Sequence, residues 1–385
     1  MMLHSFEMLL PINYEDVRHL FYKYGVKVDK YEHFGAAVIA LNQKVKDRFT
    51  AYGIRWISSQ GKGVWYLHLK VDAIKILGRS NITDNDYDAV EADIRVFLIK
   101  HFGHASYFNS HRLTRIDYRF DAVVPNPNER KLLFHLFEKY TKKYGFKEMV
   151  KWGKDENGNP IKYETSQYHK CKSVELFIYS KEDERKAKGE KIESYDRNRV
   201  RYELRLKNEH LNGMTRDDKG TGRSKKLRTY FSNALSEQYL KKHVLPIVHK
   251  GDYYKITEAE KIIENSSFSK LKKEKLRAFL ISISKGNIDT PLKKGISKPT
   301  YRLYLRDLEN IRVNPILIPP RTARIFQIPS KIPLNFESHY KRNNGKGRSC
   351  SFSNIMIGDY NEVVFPHCIN RKITVNPPPE SVAYR

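Results

Sequence analysis

Apolar and polar positions along the chain switch between a two-residue and a helical repeat. Residues 4–12 predict a first strand. Residues 14–24 (YEDVRHLFYKY) bring Val17, Leu20 and Phe21 to one side of a helix. Strands are expected near 34–40 and 52–57. Residues 64–71 (VWYLHLKV) alternate, with Trp65, Leu67, Leu69 and Val71 on one face. A turn-rich stretch, KILGRSNITD, follows, and Thr83 or Asp84 is suited to cap a helix over 85–101.

Three further segments alternate strictly. In 113–121 (LTRIDYRFD), Ile116, Tyr118 and Phe120 are apolar, opposed by Arg115, Asp117, Arg119 and Asp121. In 172–181, Val174, Leu176 and Ile178 oppose Ser173, Glu175, Phe177, Tyr179 and Lys181. In 199–207, Val200, Tyr202, Leu204 and Leu206 oppose Arg201, Glu203, Arg205 and Lys207. A helix is expected over 128–144, a hairpin turn at DENGNP (155–160), and a polar connection over 181–198.

Beyond residue 215 the repeat becomes helical, at 227–245, 257–285 and 298–310, with Lys-rich faces. Helices joined by a short Gly-containing turn suit either a helix-turn-helix or winged unit, or a plain bundle. The pattern therefore predicts an α+β protein. An antiparallel sheet with packed helices occupies 1–215, a basic and mainly helical region 216–315, and an irregular, partly disordered tail 316–385.

Composition narrows the partner. Lys and Arg number 71 against 44 Asp and Glu, a formal net charge of +27. Such self-repulsion is relieved by a polyanion, and each phosphate neutralised releases a counterion. The 25 Tyr and 19 Phe suit stacked bases of a single strand as well as a packed core. Cys171, Cys350 and Cys368 have neither zinc-site spacing nor the number for a disulfide framework, which fits a reducing cytoplasm. The opening MMLHSFEMLLPI lacks the basic front of a signal peptide, and no membrane span or membrane partner is expected.

If the three alternating strands share one antiparallel sheet, its polar face gathers Asp117, Glu175 and Glu203 among cations, with Tyr179 beside them. That set suits phosphoryl transfer. The carboxylates hold Mg²⁺ or Mn²⁺, and Arg115, Arg119, Arg201, Arg205 and Lys207 hold the DNA backbone. A tyrosine attacks and stays joined to the 5′ phosphate. A free phenol titrates near pH 10, so Lys181, two residues along, is expected to assist Tyr179. The bond energy kept in a phosphotyrosine allows rejoining without ATP, in accord with the absence of a GxxxxGK[ST] motif. The same alternation also describes any half-exposed sheet, in which Asp117 and Glu203 merely pair with neighbouring Arg.

The ordered set HLKVDAIKILGRSNI (68–82), LTRIDYRFDAVVPNPN (113–128), ELFIYSKEDE (175–184) and RVRYELRL (199–206) resembles the filamentous-phage replication initiators of the gene II/X family. The resemblance covers about residues 60–210 and rests on the order of the segments. It implies an enzyme that nicks the plus strand of a double-stranded origin, uses Mg²⁺, and later joins the displaced single strand. Residues 1–215 would be the nicking domain and 216–315 the duplex-binding region, working with a host helicase and polymerase in the cytoplasm of a bacterial or phage-infected cell. The family's Tyr followed two residues on by Lys matches Tyr179 and Lys181. Its Arg-Ile-Asp and Arg-aromatic-Glu segments match 115–117 and 201–203.

RVRYELRLKNE is also similar to plasmid initiators whose nucleophile sits in an Arg-Tyr-Glu context, which makes Tyr202 the alternative. Parity disfavours it, because Tyr202 shares a face with Val200, Leu204 and Leu206. The paired His ligands of other rolling-circle enzymes are missing: His101 and His104 are three apart, and His68 and His111 are isolated. All four are expected to be ordinary structural or surface residues. A non-catalytic origin-binding or copy-control protein is the alternative function, ahead of a transfer relaxase or single-strand transposase.

Overall fold

Alternation along the first strand is matched in unbroken register by one neighbouring strand and is interrupted twice by irregularities against the other. The structure is a computed structural model that describes residues 2–45, 51–59, 62–139, 147–149, 152–154, 160–162, 164–218, 220–322, 325 and 327–330. Strand β1 (Met2–Ile12) buries Phe6, Met8, Leu10 and Ile12. Helix α1 (Tyr14–Lys23) buries Val17, Leu20 and Phe21, the side read from the sequence. Residues expected as a strand near 34–40 instead form helix α2 (Phe34–Lys44), with Ala37 and Leu41 inward and the His33 ring accepting from the Ala36 amide at 3.2 Å. A short apolar run has no period that separates the two states, and the alanines of FGAAVIAL favour helix.

Strands β2 (Ala51–Ser59) and β3 (Lys62–Asp72) form a hairpin, and α3 (Ala73–Leu77) follows. Helix α4 (Tyr87–Phe102) starts after a capping box in which Thr83 and Asp86 satisfy each other's backbone donors. Strand β4 (Arg112–Val123) leads to α5 (Pro127–Phe137), capped by Asn126. The rest of the helix expected to 144 lies, from residue 140, outside the described residues. The short strands β5 (Lys147–Met149), β6 (Trp152–Lys154), β7 (Pro160–Lys162) and β8 (Ser166–Lys170) come next. The expected turn at 155–160 lies almost wholly outside the described residues, but β6 and β7 pair across it, Trp152 facing Lys162.

Strand β9 (Val174–Ser180) runs directly into α6 (Lys181–Ala187), so the expected polar connection begins with a helix, capped by Ser180. Strand β10 (Arg199–Lys207) and α7 (Asn208–Met214) complete this part. The sheet is eight-stranded and antiparallel, in the order β2-β3-β1-β4-β10-β9-β8-β5. Its apolar face carries Leu67, Leu69, Ile116, Tyr118, Val174, Ile178, Val200, Tyr202 and Leu204, all buried.

The helices beyond residue 215 share this core. Helix α8 (Leu227–Tyr230) packs on β4, and α9 (Asn233–Val248) on β1, β4 and β10. Strand β11 (Tyr253–Tyr254), α10 (Ile256–Glu264), α11 (Lys270–Ser284), α12 (Thr290–Lys293) and α13 (Lys298–Asn310) follow. The stretch expected as one helix over 257–285 is thus two, parted at 265–269. Strand β12 (Gln327–Ile328) pairs with β11, and Ile316, Leu317 and Ile318 are buried. From residue 331 the tail lies outside the described residues. Among the described residues, no helix is long and apolar enough to cross a membrane.

Candidate active site on the polar face of the sheet

Register puts opposite charges side by side on the other face of the sheet. Arg205 of β10 faces Asp117 on one side and Glu175 on the other; Arg201 faces Asp121 and Tyr179; Glu203 faces Arg119 and Phe177. One end of this face is closed and the other is partly open.

At the closed end, Arg119, Arg201 and Asp196 are buried, with Asp121 half-buried beside them. Arg201 donates through Nε to Asp121 at 2.7 Å and lies 3.5 Å from Asp196, while Arg119 reaches Asp121 at 3.2 Å and the Ser80 carbonyl at 2.9 Å. Burial opposes charge on Asp121, but Arg201 and Arg119 outweigh it and hold the carboxyl below its ordinary range. Burial, reinforced by Arg201, lowers the Arg119 pKa. Arg119 and Arg201 were expected to face DNA; the structure turns both inward, where they bind the sheet's own acids.

At the open end a β-bulge re-aims one residue. Leu3 faces Tyr118 and Ser5 faces Asp117, so His4 is the extra residue on β1. A regular strand would give His4 the buried face of Phe6 and Met8. Instead its Nδ1 lies 3.2 Å from Oε2 of Glu203. The phenol of Tyr179 donates to that same oxygen at 3.0 Å. The ligand atoms of His4, Asp117 and Glu203 all lie within 4.8 Å of one another. One imidazole and two carboxylates are a fitting donor set for a divalent cation. Among the described residues this is the one such group, and His4 is its member that periodicity hid.

A belt of alternating charge crosses five strands around this group. His68 lies 3.4 Å from Glu7, Arg115 donates to Glu7 at 2.8 Å and through Nε to Asp117 at 2.9 Å, and Arg205 donates through Nε to Asp117 at 3.2 Å. Arg205 also reaches Glu175 at 3.3 Å, and Lys207 lies 3.4 Å from Glu175. The Ser5 hydroxyl completes the shell of Asp117 at 2.9 Å. Glu175, expected as a metal ligand, is therefore held by Arg205 and Lys207 and is not one of the three converging residues. Arg115, Arg205 and Lys207, expected to hold DNA, keep partial access to solvent at this end.

The electrostatics follow from these contacts. Burial raises the Glu203 carboxyl, but His4, Arg205 and the Tyr179 phenol outweigh it, leaving its pKa well below the ordinary carboxylate range. Glu7 is also raised by burial, yet His68 and Arg115 bring it down to about 2. Burial and then Glu203 push the Tyr179 phenol well above its usual value, and the cation that opposes them is Arg201. Lys181, expected on the strand beside Tyr179, is instead the first residue of α6, and its ammonium is bound to Glu184 at 2.5 Å. Tyr179 is 9% exposed, on the polar side of the sheet.

Tyr202, the alternative nucleophile, is fully buried on the apolar face and stacks on Phe120 at 4.4 Å between ring centroids. The other histidines have their own partners. His111 accepts from the Leu227 amide at 2.8 Å, the His101 ring meets the Tyr24 hydroxyl, and His104 lies 3.7 Å from Asp16.

Comparison with known proteins gives the family of the chain. The Phage_CRI family model, described as the N-terminal part of a replication-associated protein, matches residues 37–229, half of the chain. A solved rolling circle replication initiator protein from Geobacillus stearothermophilus is similar over 83% of this chain and 98% of its own, at 10% identity and a TM-score of 0.31. The di-domain ARO/CYC protein BexL of the BE-7585A biosynthetic pathway covers 52% of this chain and 68% of its own, at 8% identity and a TM-score of 0.16. No curated protein sequence matches. Likenesses this loose carry no argument; the family match, with the ordered strands behind it, does. The chain belongs to the Phage_CRI family of replication-associated proteins, the phage and plasmid initiators that nick DNA to start rolling-circle replication.

Proposed function

We propose that this initiator cuts one strand of its replicon's double-stranded origin with Tyr179, using a divalent cation held by His4, Asp117 and Glu203. The observation that carries the reading is the shared oxygen of Glu203, which meets the Tyr179 phenol at 3.0 Å and the His4 ring at 3.2 Å. A cation bound there supplies Lewis-acid polarisation of the scissile phosphate. Mg²⁺ and Mn²⁺ both suit two carboxylates, and the imidazole adds a ligand that Mn²⁺ accepts readily.

The protein's own groups do the rest. Arg115 and Arg205 stand beside the trio at the open end and position the phosphate while absorbing the charge that develops on it. Glu203, already accepting the phenolic hydrogen bond, holds the Tyr179 oxygen in place. Attack forms the tyrosine–phosphorus bond as the phenolic proton passes to the Glu203 carboxylate that already accepts from it, and breaks the bond to the 3′ oxygen, which takes up that proton and leaves as a hydroxyl. The 5′ end stays on Tyr179, and attack by a later 3′ hydroxyl reverses the step and rejoins the displaced strand. Residues 1–215 form the nicking unit in this reading, and 216–315 grip duplex DNA. A host helicase and polymerase then extend the freed 3′ end.

The test is to incubate full-length protein with a supercoiled plasmid carrying its origin, in Mg²⁺ or Mn²⁺. Open circles with protein on the 5′ end are expected, and mass spectrometry should place the adduct on the peptide containing Tyr179. Plasmid that is bound but uncut in every divalent metal would instead favour an origin-binding or copy-control protein.

A further inference from the structure

The segment from α11 to α13 has a geometry that the nicking site does not use. Helices α11, α12 and α13 pack on one another. The Phe279 ring of α11 meets Tyr301 and Tyr304 of α13 edge-on, at 5.6 and 5.4 Å between centroids. The Tyr301 hydroxyl donates to the Ile288 carbonyl at 3.1 Å, and Lys272 of α11 pairs with Asp307 at 2.8 Å. These contacts fix α13 by one side.

Between α12 and α13 lie four residues, Lys294 to Ser297. Gly295 sits at φ +90, a left-handed conformation that a side chain would strain. Its amide bonds the Leu292 carbonyl and that of Ile296 bonds Pro291, each at 3.1 Å, which folds the turn tightly. The Ser297 hydroxyl then caps α13 on the Thr300 amide at 3.3 Å. A short helix, a four-residue turn with glycine and a longer second helix are the parts of a helix-turn-helix.

The outward side of α13 is a stripe at helical spacing. Pro299, Leu303, Arg306 and Asn310 are exposed along it, with Lys298 exposed at its start and Lys293 and Lys294 exposed just before. Leu303 is 42% exposed. The two acids of α13 are engaged elsewhere: Asp307 with Lys272, and Glu309 with Lys250 at 2.5 Å. The stripe thus carries one arginine and one leucine, with three exposed lysines at and just before its start.

We propose that α12, the 294–297 turn and α13 form a helix-turn-helix whose second helix enters the major groove of the origin duplex. Lys298 lies at the end of α13 that meets base edges in such units, and Leu303 is five residues further along, where an apolar side chain contacts a thymine methyl. Lys293, Lys294 and Arg306 flank these positions and hold phosphates. This deepens the initiator reading and rests on it, because it assigns the selection of the origin to α13 and the cutting to the sheet.

The test uses full-length protein in chelator, so that binding is read without cutting. Wild type is used to select from a randomised duplex pool, and the enriched sequence is then titrated by fluorescence anisotropy over a range of salt. The variant Lys298→Ala/Leu303→Ala should lose the enriched sequence preference. The variant Lys294→Ala/Arg306→Ala should weaken binding about tenfold and flatten the salt dependence by about two counterions. Both change exposed side chains, and unchanged thermal unfolding checks that they fold. Failure of wild type to enrich any sequence, or unchanged preference and salt slope in the two variants, overturns the proposal. A Tyr179→Phe protein should select the same sequence as wild type, so loss of cutting and loss of origin selection are read separately.

Discussion

The phenolic oxygen of Tyr179 lies 3.0 Å from a carboxylate oxygen of Glu203, across two adjacent strands. Burial and then Glu203 raise the phenol, and against burial His4, Arg205 and this contact lower the acid, so each group keeps its present proton state at neutral pH. It also ties the proposed nucleophile to one of the three residues that can hold a cation.

Tyr179→Phe should therefore abolish the covalent protein–DNA adduct while leaving the fold in place. Loss of one hydrogen bond to a charged acceptor costs about 2 kcal/mol. Denaturing gels after incubation with origin plasmid should show no shifted band. Adduct formation in this variant at the wild-type rate would move the chemistry to another residue.

Tyr202→Phe should do the opposite. The Tyr202 hydroxyl is buried without a hydrogen-bond partner among the described residues. Removing a buried, unsatisfied hydroxyl should leave nicking intact and stabilise the protein by about 1 kcal/mol. Chemical denaturation compared with wild type measures it; a lost adduct with normal stability would restore Tyr202 as nucleophile.

His4→Ala should weaken Mn²⁺ binding by at least about tenfold, read by calorimetry without DNA. The imidazole is 19% exposed, so its loss should cost little stability. Asp117→Asn should behave differently, because Asp117 is fully buried and accepts from both Arg115 and Arg205. Arg115 keeps Glu7 and Arg205 keeps Glu175, but loss of their shared buried anion should still destabilise by about 3 kcal/mol as well as removing the cation. Equal Mn²⁺ affinity in His4→Ala and wild type would remove His4 from the site.

Arg201→Met tests whether the closed end serves DNA or the fold. Arg201 is buried between Asp121 and Asp196. Its replacement should destabilise the protein by about 3 kcal/mol, because Asp121 is left to Arg119 alone and Asp196 to Arg185 alone. A variant of normal stability whose only defect is weaker DNA binding would make Arg201 a DNA contact after all.

Stability should fall as the pH drops from neutral. Burial lowers His169 and His210 to about 4 and His243 to about 3, below the ordinary value of 6.5. Each is held neutral in the folded state, so the unfolded chain binds protons first. Their contribution is full above pH 6.5 and is lost as the pH falls from there toward 4 and 3. Glu7 adds a second loss between about pH 4.5 and 2. Thermal unfolding in buffers across this range should show a midpoint that declines from about pH 6.5; a flat profile down to about pH 4 would mean that these histidines are not sealed.

The sequence by itself fixes the direction of side chains wherever a local repeat is strict. Val17, Leu20 and Phe21 on α1, the faces of β3, β4, β9 and β10, and the inward placing of Tyr202 all follow from the backbone period alone. The repeat also carried the ordered segments by which the family is recognised. At 34–40 it failed, because an apolar run too short for a period fits either state, and the alanines decided for helix.

The tertiary structure decided what a local period cannot carry. His4 reaches the polar face because β1 bulges against β4, and the Ser5–Asp117 contact beside it joins residues 112 apart in sequence. Lys181 turns away from Tyr179 because the strand ends one residue earlier and a helix begins. Arg119 and Arg201 share a face with Arg115 and Arg205, yet two are sealed and two are reachable. Side-chain direction is set by a residue's own backbone, whereas burial and strand register depend on segments distant in the chain, which no single stretch of sequence contains.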